Sequence, residues 1–372
     1  MALRTPPLHA VHEKRGASFT DFGGWEMPVE FDSINEEHEA VRTAAGIFDV
    51  SHMGEITVTG PDAEELLNRL TTNDVTALDP GEAQYAAITD EDGIIIDDTV
   101  VYRLPESVPE GTPGAGEDYL FIPNAGHDAQ MHERWTAHRE QWGLDADVTN
   151  CTDDYGIVAV QGPDAEDLVA DAAGEAARDL GRFSAAAMEI ADVPSWVART
   201  GYTGEDGYEI VVPMDRLEPV WAAFDCQPCG LGSRDTLRME YGLLLSGQDF
   251  NPEENPRTPL EAGIGFAVDL DTEFVGRDAL AAQQEAGPEQ VFTGFKLEER
   301  GVPRHGYTIT DADGSEIGAV TSGTMSPTLR EPIGLGYVDT AHAEDGETVF
   351  ISIRDEGKRA VIKTPPFIEE NQ

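Results

Sequence analysis

Lysine is nearly absent from this chain: Lys14, Lys296, Lys358 and Lys363 are the only ones among 372 residues. Arginine brings the basic total to 24, against 72 acidic side chains and a net charge of −48. So negative a surface excludes duplex nucleic acid and anionic membranes as partners, because phosphate binding draws on clustered Lys and Arg. In dilute buffer these charges would repel one another enough to loosen a fold, whereas molar salt screens them beyond about 3 Å. A halophilic cytoplasm is the expected setting. Cysteine is also scarce, with Cys151 alone and Cys226 and Cys229 in "CQPC". Three cysteines in a chain this long exclude a disulfide framework. No second pair or nearby histidine completes a zinc site around Cys226 and Cys229, and no thioredoxin-like context surrounds them, so they read as turn residues. Apolar runs of about 18 residues are missing, and "MALRTPPLHAVHEKRG" has no apolar core. Neither a membrane-spanning helix nor a signal peptide is therefore expected.

What is present is a globular pattern. Hydrophobic residues make up 40% of the chain, and the acids are interspersed among periodic apolar segments instead of forming disordered blocks. The length suggests two or three domains. "VTGPDAEELL" (58–67) recurs as "VQGPDAEDLV" (160–169), each a strand end, a Gly-Pro turn and a helix opened by acids. Two related strand–helix units and an α+β class follow. Helical patterns fall near 34–45, 62–71, 126–141, 164–178, 215–224 and 234–245. Strands are expected at 55–59, 84–89, 94–102, 118–122, 156–160, 196–199 and 208–212. Between two of them, the Pro- and Gly-rich segment 104–118 reads as a loose surface loop. After a further helix in 275–290, short strands with turns such as Asp313-Gly314 predict a closing β-barrel or sandwich. The expected division is 1–280, with a second intertwined domain at about 50–150, and 281–372.

Three places combine chemistry with an awkward setting. In "RTGYTGEDGYEI" (199–210), the glycines at 201, 204 and 207 precede a strand and not a helix, which removes the dinucleotide reading. Along that strand Tyr208, Ile210 and Val212 share one face, while Glu209 lies on the other with Val211. The carboxylate is either simply solvated or lines a pocket, accepting paired N–H donors from a flat heterocycle. In "GIIIDDTVVY" (93–102), Asp97 and Asp98 interrupt a buried strand and point to opposite sides, so at least one projects from an apolar face. A bulge could relieve this; otherwise a carboxylate is kept there for positive charge or proton transfer. In "GLGSRDTLRMEYGLLLSGQDF" (230–250), Ser233 is placed to cap a helix striped with Leu237, Tyr241 and Leu244. Arg234 then falls in the first turn, where the helix dipole disfavours a cation unless Asp235 or an anionic partner compensates. Arg238 reads as an ordinary surface or ion-pair residue. His52, beside Ser51 and Asp49, reads as structural, since adjacency in sequence is not a triad.

These blocks, together with "FGGWEMPVEF", "GIFDVSHMGE", "TPLEAGIGFAV", "FVGRDAL" and "GAVTSGTMSPTL", resemble in order the aminomethyltransferase (T-protein) family of the glycine cleavage system. The likeness runs from about residue 4 to 365. It implies a three-domain cloverleaf around a central folate site. It also implies transfer of the one-carbon unit from the aminomethyl-lipoyl arm of the H-protein to tetrahydrofolate, with release of ammonia. By resemblance Asp98 would be the catalytic acid, and Glu209 and Arg234 would bind the pterin. Tyr202, Met53, Tyr85, Val100 and Tyr102 would line the pocket. The H-protein, tetrahydrofolate and the other glycine cleavage components are the implied partners, with no metal required. Folate-dependent demethylases share this fold, as do folate-binding modules of iron–sulfur assembly. The latter carry K-G-C-Y-x-G-Q where this chain reads "RTGYTGEDGYE". The tail "TPPFIEENQ" lacks the tyrosine that some T-proteins set against the folate.

Overall fold

The computed structural model describes residues 3–354 and 356–368. The chain opens with helix α1 (His9–Lys14), hairpin β1 (Ser18–Phe22) and β2 (Trp25–Glu30), and helix α2 (Ile34–Thr43). There follow β3 (Gly46–Asp49), β4 (Ile56–Thr59), α3 (Ala63–Leu70), β5 (Ala83–Thr89), β6 (Ile95–Arg103), β7 (Tyr119–Ile122) and α4 (Asp128–Trp142). A second run holds β8 (Asp147–Asn150), β9 (Tyr155–Gln161), α5 (Ala165–Ala173), β10 (Ala185–Ile190), β11 (Val193–Ala198), β12 (Gly207–Pro213) and α6 (Leu217–Trp221). Then come β13 (Gln227–Cys229), α7 (Leu231–Tyr241) and α8 (Arg277–Ala286). Six strands end the chain: β14 (Gln290–Leu297), β15 (Thr308–Thr310), β16 (Glu316–Met325), β17 (Pro332–Asp339), β18 (Thr348–Ile353) and β19 (Glu356–Ile362). This mixture is the expected α+β class.

Two compact units divide these elements: Met1–Ala86 with Asp97–Arg234, and Ala87–Ile96 with Asp235–Gln372. The first holds two sheets of matching design. One has strand order β5-β6-β7-β4-β8, the other β10-β11-β12-β9-β3-β13. Thus β4 to β7 and β9 to β12 are arranged alike, and the repeat seen in the sequence extends from β4 to the end of β7 in one half and from β9 to the end of β12 in the other. The strands preceding each half are exchanged: β3 pairs with β9, and β8 with β4. At the centre Ala83 N donates to Phe183 O, and Ala185 N donates to Gly81 O, 2.8 and 2.7 Å, around a bridge of Glu82 and Ser184. Each half also keeps the same internal tie. Arg103 Nη1 donates to Leu78 O and approaches Glu64, while Arg199 Nη1 donates to Leu180 O and pairs with Glu166. Val158, Val160, Tyr208, Ile210 and Val212 lie in one buried cluster, as the alternation on β12 predicts.

In the second unit β14-β17-β16-β15-β18-β19 close into a barrel. Phe295, Ile309, Val320, Val338 and Ile351 fill it. Arg238 proves to be no surface residue. Fully buried, it pairs with the buried Asp249 at 2.6 Å and donates to Ser322 Oγ and Leu243 O. Asp249 in turn accepts from Thr321 Oγ1, Ser322 Oγ and Leu245 N.

The helices and strands read from the sequence occur within a few residues of their expected places, but four details differ. Helix α7 starts three residues before Arg234 and ends at Tyr241, so Leu244 lies past it. Ser233 sits inside the helix and caps nothing; its hydroxyl donates to Glu37 Oε2 and Gly230 O. Segment 104–118 is held at its middle, with Thr112, Pro113 and Gly114 buried and successive turns closing on Pro109, Thr112 and Gly114 carbonyls. Short strands such as β3, β8 and β13 show too little alternation to be seen in sequence. Replacing Arg238 by Met would strand the Asp249 charge, and we expect a loss of about 3–5 kcal/mol in a denaturant melt. The double change Arg238→Met, Asp249→Leu should recover much of it.

Candidate functional site

The site residues named from the sequence all belong to the first unit. On β6 the alternation puts Asp98, Val100 and Tyr102 on one face and Asp97 on the other. Asp98 is partly buried and Asp97 fully buried. Tyr85 of β5 donates its hydroxyl to Asp98 Oδ2 at 2.6 Å. A residue the sequence reading passed over, Asn124 just after β7, joins the two acids. Its Nδ2 donates to Asp97 Oδ1 at 2.7 Å and to Asp98 Oδ1 at 2.5 Å. Burial, and then the neighbouring Asp97 charge, push the Asp98 carboxyl up to about 6, against the opposing pull of the Tyr85 and Asn124 hydrogen bonds. Burial and the Asp98 charge likewise raise the Tyr85 phenol.

Tyr102, at the far end of the same face, connects to the second acid. Its hydroxyl lies 3.5 Å from Thr200 Oγ1, which donates to Glu209 Oε2 at 2.7 Å. Burial, followed by the Glu209 charge, raises the Tyr102 phenol. Across the sheet Glu209 is flanked by Ala159 and Ala198, whose methyl groups crowd it little. The strand rise sets Asp98 and Tyr102 roughly 13 Å apart along β6, so two carboxylate stations border one face.

The glycine-rich turn between β11 and β12 carries Thr200 and Tyr202. A Cβ at Gly201 or Gly207 would strike the Gln161 side chain, within 2.0 and 2.4 Å. Gln161 fills that space to hold the turn, donating to Thr200 O and accepting from Thr203 Oγ1. Gly204 supplies the left-handed conformation, φ +82°. So built, the turn presents Tyr202, over whose ring Arg234 stacks with Cζ 4.0 Å from the centroid. Arg234 owes its place to Glu37 of α2, the second residue that sequence reasoning missed. Its buried carboxylate accepts from Gly230 N, Ser233 Oγ and the amides of Phe31 and Asp32. It thereby fixes the start of α7 from a distance of nearly 200 positions. Asp235 accepts from Arg238 Nε at 2.8 Å.

His52 is buried, and burial together with the Arg234 charge lowers its imidazole to about 3, so it is neutral at ordinary pH. That suits its structural reading. Met53 follows it, partly buried. Burial and then Asp225 push the Cys226 thiol up to about 12, and burial raises Cys229 and Cys151, which disfavours the thiolate at each. Among the described residues no cluster of His, Cys, Asp and Glu is arranged to hold a metal, and no helix is long and apolar enough to cross a membrane.

The raised Asp98 carboxyl has a stability consequence. With a folded value near 6 against the ordinary 3.8, the fold favours the protonated form, so this group costs stability as pH rises through that interval and at every higher pH. Asp98→Asn should therefore be more stable than the parent at pH 7.5, by about 1–3 kcal/mol, and the gap should close near pH 4. A variant no more stable than the parent at pH 7.5 would contradict the buried, like-charged environment.

Comparison with known proteins agrees over the whole length. Residues 8–272 match the GCVT N-terminal domain, and residues 291–369 match the glycine cleavage T-protein C-terminal barrel domain. A probable aminomethyltransferase of Halobacterium salinarum is 67% identical over all of both chains. One from Haloarcula marismortui is 61% identical over 99% of this chain and 100% of its own. An aminomethyltransferase of Listeria monocytogenes is 43% identical over 98% of each. Among solved structures, the glycine cleavage system aminomethyltransferase T of Bartonella henselae superposes with TM-score 0.89 at 32% identity over 99% of both chains.

Proposed function

The chain belongs to the glycine cleavage T-protein family of aminomethyltransferases, and from that premise we propose that it takes the aminomethyl group from the lipoyl arm of an H-protein and passes the carbon to tetrahydrofolate. Ammonia leaves, 5,10-methylenetetrahydrofolate forms, and the arm ends as a dithiol. The two N–H protons of the folate depart with ammonia and with the sulfur, so no oxidant and no metal enters the balance. Similarity to aminomethyltransferases from Halobacterium and Haloarcula supports the halophilic setting that the charge suggests.

The observation that carries the reading is a pair of carboxylates, each held by a hydroxyl donor: Asp98 at one end of the β6 face, and Glu209 of β12, which Thr200 links to Tyr102 at the other end. As ammonia leaves, the carbon develops positive charge shared with the sulfur that still holds it, before N5 of the folate attacks it and N10 then displaces the sulfur. A carboxylate beside it stabilises that charge without reorganising, and holding the reactants in line supplies much of the rest. Asp98 suits this role. Its raised value leaves it ionised at neutral pH yet able to accept and return a proton. Glu209, uncrowded between two alanines, suits the paired 2-amino and ring N–H donors of a pterin. Tyr102, Val100, Tyr85 and Met53 would line the pocket, and the Tyr202–Arg234 stack would form a further wall.

Ammonia release from aminomethyl-loaded H-protein, measured in molar KCl with and without tetrahydrofolate, tests the function directly: release should be fast and folate-dependent. Asp98→Asn should lower turnover by about 100- to 1,000-fold, and a variant within a few-fold of the parent would remove Asp98 from the chemistry. Glu209→Gln should weaken folate binding by about 10- to 100-fold in a calorimetric titration, as expected for losing a charged hydrogen-bond acceptor, while leaving H-protein binding intact. Equal losses for both partners would make Glu209 structural.

A further inference from the structure

Behind Asp98 stands a carboxylate that the proposed transfer does not touch. Asp97 is fully buried and accepts two hydrogen bonds from Asn124 at the corner between β7 and α4, from its N at 3.1 Å and its Nδ2 at 2.7 Å. The His127 ring stands beside it as an ion-pair partner, with Nδ1 3.1 Å from Asp97 Oδ2 but not aligned for a hydrogen bond. Because the same Asn124 nitrogen also serves Asp98, a continuous chain leads from His127 through Asp97 and Asn124 to Asp98. Its outer member is 30% exposed and its inner members are not in bulk water.

The sister half shows that the fold does not need this chain. Tyr119 opposite Val58 corresponds to Tyr208 opposite Val160, and Arg103 to Arg199. Counting along the strands from these anchors, Asp97 and Asp98 correspond to Val193 and Pro194, and Asn124 to Pro213. The same architecture is thus built once with hydrocarbon and once with a costly polar network. The groups that face Asp98 are Asp97 on its own strand, Tyr85 of β5 and Asn124; Tyr202 lies beyond Tyr85. His127 faces Asp97, Asp98 and Asp128.

We propose that His127 is a positioning residue for the transfer reaction, supplying through Asp97 the positive charge that keeps Asp98 in its carboxylate form while the one-carbon unit moves. This rests on the reading of Asp98 given above. Two adjacent acids in a buried strand compete for one proton, and a cation on the far side of Asp97 relieves the pressure on Asp98 to take it. The Asp97 contact, followed by the charges of Asp97, Asp98 and Asp128, raises the imidazole above its ordinary value despite burial. His127 therefore carries its proton in the range where Asp98 titrates. Molar salt weakens this coupling less than it weakens exposed pairs.

Rate against pH in single-turnover ammonia release, with aminomethyl-loaded H-protein and saturating tetrahydrofolate in molar KCl, tests it. His127→Gln should move the acid limb to higher pH, losing about twofold near pH 6 and about threefold well below it for a half-unit displacement, and little above pH 8, where Asp98 is ionised in both proteins. His127→Lys, which keeps a cation, should leave the limb in place or move it lower. An unshifted limb in His127→Gln, or equal losses at every pH in both variants, overturns the proposal. Asp98→Asn separates the premise: if it retains the parental acid limb, the limb does not belong to Asp98 and the functional reading itself fails. A low, flat profile in Asp98→Asn with an unshifted limb in His127→Gln removes only the role of His127.

Discussion

Each of the two large sheets is completed by a strand that belongs, in sequence, to the other half. Backbone pairing of β3 with β9 and of β8 with β4 satisfies amides and carbonyls that would otherwise form bare edges. The reciprocal bonds around Glu82 and Ser184 tie the halves again at their centre. Neither sheet is complete without the other half. Everything at the site hangs from this exchange, because Asp98 stands on a strand of one sheet and Glu209 on a strand of the other.

The near-symmetry separates polar groups that both halves carry from those that only one half carries. Arg103 with Glu64 and Arg199 with Glu166 recur in both halves, with the same carbonyl partner position, and so serve the fold. Glu209, by contrast, corresponds to Leu120 and Tyr102 to Ala198 by cross-strand register, and Tyr85 to Ala187 by counting from the central bridge of Glu82 and Ser184. Hydrocarbon suffices at every one of those places in the partner half. The buried carboxylates are therefore a burden that the fold tolerates at one of two equivalent positions, and such asymmetric cost is a mark of function.

Much of this was legible in the chain. The alternation along "GIIIDDTVVY" and "GYEIVVP" fixed which side chains share a face, and the repeated Gly-Pro-Asp-Ala block announced the duplication. Choosing Asp98 over Asp97 was beyond periodicity, since strand alternation treats both faces alike; the family resemblance made that choice. Glu37 and Asn124 stayed hidden for a different reason. Each acts across a long stretch of chain, Glu37 on Gly230 and Asn124 on Asp97, and no local pattern announces a carboxylate or amide whose partners are so distant. Ser233 misled because a serine before an apolar helix looks like a cap, whereas α7 already begins at Leu231 and the hydroxyl turns to Glu37 of α2.

The charge of −48 and the chemistry of the site obey different electrostatic rules. At molar salt the exposed acids barely sense one another beyond about 3 Å, so they govern solubility and contribute little to specificity. Docking of a partner protein under those conditions must lean on packing and short hydrogen bonds, because long-range steering is screened. Buried groups keep their mutual influence. Burial, and then the Asp97 charge, still raises Asp98, and burial, and then the Arg234 charge, still keeps His52 neutral, because little electrolyte enters between them. A chain can therefore accumulate surface acid to suit a saline medium while its reaction centre runs on a few protected charges, provided those charges are paired inside the fold and not across its surface.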